Sequence, residues 1–249
     1  MSRPPARPDV WARLRQATDA RIGLGRSGHG LPTGAMLALQ HAHALARDAV
    51  HTPLSVETVT AALAGLDTIP VDSLAGERRT YLTRPDLGRR LAAESRERLH
   101  PGDWDLAIVL ADGLSPGAVA ERGPAVARAL LARLPGWRAA PIVVARQARV
   151  ALGDEIGEQL GARMVVVLIG ERPGLSAADS LGAYITWRPA VGRLDSERNC
   201  VSNIRPGGLP VDEAAARIAW LLTAAQGLQL TGVGLKDGYD PGPERLAAL

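Results

Sequence analysis

The sequence of 249 residues has no phenylalanine, a single cysteine and only three tyrosines, and aromatic residues make up 3% of it. A core built from such a chain must be aliphatic, drawn from Ala, Leu, Val and Ile. With Cys200 alone no intrachain disulfide can form, and no thiolate metal cluster can be assembled from this chain. A reducing compartment is therefore expected. No run approaches the roughly 18 uninterrupted apolar residues of a membrane span. The N-terminal Met-Ser-Arg-Pro-Pro-Ala-Arg-Pro also lacks an apolar stretch of signal-peptide length. These absences predict a cytoplasmic protein with no membrane partner. Basic and acidic residues number 29 and 26, leaving a formal charge of +3, and no dense basic run is interleaved with aromatics. No nucleic-acid partner is expected.

The chemistry is bounded by absences too. No histidine lies beyond His100 and there is no Gly-x-Ser-x-Gly elbow, so a Ser-His or Cys-His nucleophilic pair has no local partner in the second half of the chain. His41 and His43 are two residues apart and would point in nearly opposite directions on a helix, which excludes a helical metal pair. Neither a metal site nor a catalytic residue is assigned. The turn Gly23-Leu24-Gly25-Arg26-Ser27-Gly28 has the spacing of a dinucleotide fingerprint, but it follows a helix-like stretch instead of a strand and is read as accidental.

What is present is an alternation. Up to about residue 100 the pattern is of helices only: a weak one from Pro8 to Ile22 with Asp9 as its cap, a long one from Thr33 to Val50 capped by Thr33, and a short one from Ser55 to Gly65. A linker from Leu66 to Tyr81 leads to a solvated helix from Arg84 to Leu99. After that, apolar runs at 105–112, 141–146, 162–169 and 182–187 read as buried strands. Helices are expected after Ser115 and over 150–160 and 210–226. The expected fold is α/β, a mostly parallel, three-layer, Rossmann-like sheet over 101–249, preceded by a small N-terminal helical region over 1–100.

In open sheets of this kind ligands meet the carboxyl ends of the strands. The most pronounced such end is Gly170-Glu171-Arg172-Pro173-Gly174, which follows a near-continuous apolar run containing three consecutive valines. Asp112-Gly113-Leu114-Ser115, the segment from Arg146 to Val150, and a long loop from Arg193 to Arg205 should share its rim. The charged pair Glu171-Arg172 lies where a ligand would be met, with an ordinary polar strand-to-helix connection as the alternative. Cys200 is read as a buried small side chain, with a thiol activated by Arg198 as the alternative. A nucleotide-dependent α/β enzyme would need a glycine-rich loop after the first buried strand, and Ala111 to Pro116 contains one glycine. A pure scaffold protein would need no charged, glycine-framed loops at its strand ends.

Four segments carry a more specific signal: Asp154-Glu-Ile-Gly-Glu158, Leu168-Ile-Gly-Glu-Arg-Pro-Gly-Leu175, Asp179-Ser-Leu-Gly-Ala-Tyr184 and Glu197-Arg-Asn-Cys-Val-Ser-Asn-Ile-Arg205. Together with Gly25-Arg26 and the stretch from Ala42 to His51, they resemble the small subunit (light chain) of ethanolamine ammonia-lyase over nearly the whole chain. The resemblance implies an adenosylcobalamin-dependent enzyme that turns ethanolamine into acetaldehyde and ammonia by a radical route. In it the cofactor lies between this chain and a large catalytic subunit, so the chain is active only as part of a hetero-oligomer. It also implies that Val150, Glu171 and Cys200 contact the cobalamin, Glu171 by accepting a hydrogen bond from a corrin side-chain amide; the alternative is that Glu171 pairs with Arg172 or another arginine to hold its loop. The first helix begins within about ten residues, whereas some members carry a longer N-terminal segment, which leaves packaging in a bacterial microcompartment open.

Overall fold

A computed structural model describes residues 10–242. Six strands form one sheet in the order β1-β3-β2-β4-β5-β6. These are β1 (Thr68–Asp72), β2 (Leu106–Ala111), β3 (Ile142–Arg146), β4 (Met164–Gly170), β5 (Leu181–Trp187) and β6 (Arg198–Ile204). The first four are mutually parallel; β5 runs antiparallel to β4, and β6 antiparallel to β5. The expected α/β class, mostly parallel with helices on both faces, is the observed one.

The apolar runs of β2 and β4 explain their central place. Every residue of both strands is buried, and alternate side chains enter opposite layers. Leu106, Ile108 and Leu110 join Met164, Val166 and Leu168 beneath α6 (Pro116–Ala132) and α8 (Val211–Leu228). Ala107, Val109 and Ala111 join Val165, Val167 and Ile169 on the opposite face, under α7 (Leu152–Leu160). Short residues on that second face let α7 lie close, which brings the start of that helix near the rim of the sheet.

Several expectations are corrected. The region before residue 100 is not helices only: β1 falls inside the stretch read as a linker, which also holds the start of α4 (Arg78–Thr83). Its Pro70 is tolerated because β1 pairs on one side only, with β3. Arg84 to Leu99 is not one helix but a 3-10 turn, Leu87–Arg89, followed by the single turn α5 (Ala93–Arg96). The long loop from Arg193 to Arg205 contains β6.

Of the N-terminal helices, α1 (Val10–Gln16) begins where description begins, so Asp9 lies outside the described residues. Helix α2 (Thr33–His51) starts at Thr33 without a side-chain cap, whereas Ser55 caps α3 (Val56–Ala62) by accepting from the Thr58 N–H at 3.2 Å. No residue of α1 or α2 is buried, and Trp11, Leu14, Met36, Leu37 and Leu45 are exposed. Among the described residues no helix is long and apolar enough to cross a membrane.

Candidate cofactor site at the strand ends

The carboxyl ends of β2, β3 and β4 converge on a basin of about 440 Å³. Its floor is set by two turns that interlock. The Leu114 N–H donates to the Gly170 carbonyl at 2.9 Å. A Cβ on Gly113, whose φ is +55°, would lie 2.2 Å from that same oxygen, and a Cβ on Gly170 would lie 2.1 Å from the Ser115 carbonyl. Only glycine fits at either position. Leu114, Ile169 and Val150 supply aliphatic walls, Tyr81 and Tyr184 aromatic ones, and Glu171, Arg149 and Arg172 the charges.

Glu171 leaves the end of β4 and is held from one side. Its Oε2 accepts from the Ser180 hydroxyl and, at 3.3 Å, from the Asn203 N–H. That N–H points inward because β6 is irregular near its end, where Asn203 takes φ +61°. Oε1 has no hydrogen-bond partner among the described residues, and it lies over Gly182. The carboxylate therefore has one engaged oxygen and one unengaged oxygen. The alternative expected from the sequence, a Glu171–Arg172 pair holding the loop, is not the arrangement: Ser180 and Asn203 do that work.

Val150 is half-buried and lines the same basin as Glu171. Cys200 does not line it directly, but stands opposite Tyr184 in the β5–β6 register, where thiol and hydroxyl interact. Val150 and Glu171 thus meet in one cavity, and Cys200 adjoins it through Tyr184. Cys200 is exposed, which corrects the expectation of a buried side chain. It is not an arginine-activated thiol either. Surrounding atoms, by desolvation, push its pKa up and the Glu171 charge adds to this, while Arg198 turns inward to Asp154 at 2.7 Å. Burial, followed by the influence of Cys200 and Glu171, pushes the Tyr184 hydroxyl up to about 12.

Sequence reasoning missed both tyrosines. Tyr81 sits on α4 between two guanidiniums, Arg78 at 4.8 Å and Arg149 at 4.2 Å from its ring centre, and its hydroxyl donates to the Ala148 carbonyl at 3.1 Å. Arg78 also donates to the Val50 carbonyl at the end of α2 and to Asp112 Oδ2 at 3.3 Å. Asp112, buried at the end of β2, accepts from the N–H groups of Gln147 and Ala148 at 2.7 and 2.9 Å. Desolvation raises its pKa to about 6 against the pull of those bonds. The scarcity of tyrosine was the available signal, since two of the three in the chain face this one cavity.

A further cavity, of about 470 Å³, lies at the β1–β3 edge beside Pro53, Leu74 and Gln147. It takes in Arg146 and Gln147 of the expected rim but none of Val150, Glu171 and Cys200, and its Arg146 is already paired with Asp72 at 2.7 Å. The strand-end basin is the better ligand site, because it joins aliphatic, aromatic and free acceptor groups at the carboxyl rim.

Fold and site together define a class: an α/β protein with a groove at the carboxyl ends of its parallel strands, where no nucleophile–base pair is found among the described residues. Comparison with known proteins narrows it. A family model described as ethanolamine ammonia-lyase light chain matches residues 8–236. A protein of Azotobacter vinelandii named ethanolamine ammonia-lyase small subunit is 53% identical over 245 residues, covering 94% of this chain and 91% of that relative. Proteins of the same name from Rhodopseudomonas palustris, 56% identical over 232 residues (90% and 88% covered), and Xanthomonas campestris, 50% identical over 251 residues (96% and 92% covered), are similarly related. The chain belongs to the ethanolamine ammonia-lyase light-chain family.

Proposed function

We propose that this chain forms one side of an adenosylcobalamin site in a two-subunit ethanolamine ammonia-lyase and that a large catalytic subunit covers the other side. The observation that carries this reading is the strand-end basin, where Val150, the free oxygen of Glu171 and Tyr184 come together, with Cys200 next to Tyr184 in the strand register. A corrin is an apolar ring edged with amides, and these residues suit it. Val150 and Tyr184 offer contact surface, and Glu171 Oε1 accepts from a side-chain amide. The basin is smaller than the cofactor, which supports a site completed by a second chain. The exposed apolar residues of α1 and α2 supply further surface for such a partner.

Bound adenosylcobalamin supplies radical chemistry, through homolysis of its cobalt–carbon bond, for converting ethanolamine to acetaldehyde and ammonia. This chain's part is to bind, orient and shield. Among its described residues no acid–base pair is aimed at a substrate pocket, so Val150, Glu171 and Cys200 are read as cofactor contacts and no catalytic residue is assigned to it. A chain with one cysteine needs no oxidising compartment, which supports a cytoplasmic setting, free or inside a bacterial microcompartment.

The test is reconstitution. Hydroxocobalamin added to the complex of this chain with a large subunit should shift the cobalamin absorption spectrum, and ethanolamine turnover should need both chains. Turnover by the single chain, or a complex without a spectral shift, would leave a scaffold role as the better reading.

A further inference from the structure

The groove continues past the first basin into a second one of about 350 Å³, and Arg149, Val150 and Tyr184 belong to both. Two guanidiniums in this second basin lack a counter-charge. Arg149 lies on the Tyr81 ring and donates to the Tyr81 carbonyl at 3.2 Å, its Nε is buried without a partner, and no carboxylate pairs with it among the described residues. Arg89 is exposed on the Leu87–Arg89 turn and has no ion pair or side-chain hydrogen bond among the described residues. The Arg149 N–H holds that turn in place through the Gly88 carbonyl at 2.8 Å. The other charges there are already used: Arg193 pairs with Glu197 at 2.6 Å, and Asp195 with Arg198 at 3.4 Å.

Two uncompensated guanidiniums at the edge of one concave surface suit an oxyanion, and the planar fork of arginine matches phosphate best. Adenosylcobalamin has one such group, the phosphodiester that joins the corrin to its nucleotide tail. We propose that Arg149 and Arg89 form a phosphate subsite that receives this group and so fixes the rotation of the corrin against Glu171. The inference rests on the cofactor reading above.

The experiment titrates the reconstituted two-subunit complex, by absorption, with aquocyanocobinamide and with its phosphate ester, two corrinoids that differ by the phosphate alone. Wild-type complex should bind the phosphate ester more tightly. Arg149→Ala and Arg89→Ala should each weaken binding of the ester by about tenfold or more, as expected for a lost charge-assisted contact, and change cobinamide binding less than about twofold. The Arg89 side chain is exposed and makes no hydrogen bond or ion pair among the described residues, so its variant guards against misfolding of the Arg149 variant. Equal losses for both corrinoids, or no loss for either, would overturn the subsite. If wild-type complex binds both corrinoids equally while inorganic phosphate raises the melting temperature of wild type but not of Arg89→Ala, the occupant is free phosphate and the assignment to the cofactor is wrong. Failure of wild-type complex to bind either corrinoid would instead sink the cofactor reading itself.

Discussion

Gly182 on β5 lies directly beneath the carboxylate of Glu171: a Cβ at residue 182 would meet Glu171 Oε1 at 2.8 Å. The missing side chain of one residue is thus what lets the other settle onto Ser180 and Asn203.

This relationship predicts a graded series. Glu171→Ala should weaken cobalamin binding to the two-subunit complex by about one to two decades, the worth of one charge-assisted hydrogen bond. Glu171→Gln should cost less, because its carbonyl still accepts. Gly182→Ala should behave like Glu171→Ala while leaving the fold intact, since the atom displaced belongs to a flexible side chain. Spectral titration beside the melting temperature checks all three. A lowered melting temperature with unchanged affinity would mean that Glu171 serves only to hold its loop.

Cys200 should alkylate slowly. Desolvation first, and then the Glu171 charge, raise its thiol pKa, so little thiolate is present near neutral pH in spite of its exposure. Glu171→Gln should lower that pKa and speed the reaction with iodoacetamide, and bound hydroxocobalamin should slow it. The pH–rate profile followed by mass spectrometry is the measurement. Equal profiles for wild type and Glu171→Gln would show that the two residues do not feel one another.

The buried pair Asp154–Arg198 joins α7 to β6 beneath the groove, and Arg198 also donates to Thr186 Oγ1 at 2.9 Å. Removing one partner strands a charge in the core. Asp154→Ala should therefore cost about 3–5 kcal/mol in urea unfolding, whereas the double variant Asp154→Leu with Arg198→Met should recover much of this. Additive losses in the double variant would argue against a coupled pair.

Asp112 makes a pH prediction. Burial raises its carboxyl to about 6, against about 3.9 for an exposed aspartate. The folded chain then holds this proton more tightly than the unfolded one. Its contribution to stability is full below about pH 4 and is lost as the pH rises through 6, by about 3 kcal/mol. The unfolding free energy of wild type minus that of Asp112→Asn should fall over this window. A difference that does not change between pH 4 and 7 would show that Arg78 and the two N–H donors offset the burial fully.

The sequence displayed the centre of this fold and hid its margins. Leu106–Ala111 and Met164–Gly170 are buried on both faces, so their composition alone marks them as strands. The two strands that escaped notice, Thr68–Asp72 with its proline and the polar Arg198–Ile204, are the two edges of the sheet. An edge strand pairs once and buries less, so it keeps little apolar signature. The site divides in the same way. Glu171 and Val150 follow strands that could be read, and their positions at the rim came with those strands. Tyr81 reaches the basin from a short helix between unread elements, and Arg149 is placed by its stack on that ring; contacts of that kind leave no periodic trace. The charged stretch from Arg84 to Leu99 looked like a solvated helix because its arginines have a destination far along the chain: Arg90 and Arg96 both pair with the buried Glu155.

The turns after β2 and β4 meet backbone to backbone, with Gly113 against the Gly170 carbonyl and Gly170 against the Ser115 carbonyl. Two loops more than fifty residues apart in the chain therefore behave as one heritable part. Neither can lengthen without expelling the other, so insertions and deletions among relatives should collect outside the contact, between Pro173 and Asp179, and spare both turns. Anyone transplanting this groove onto another α/β scaffold would have to carry the two turns together, because half of the pair has no shape of its own.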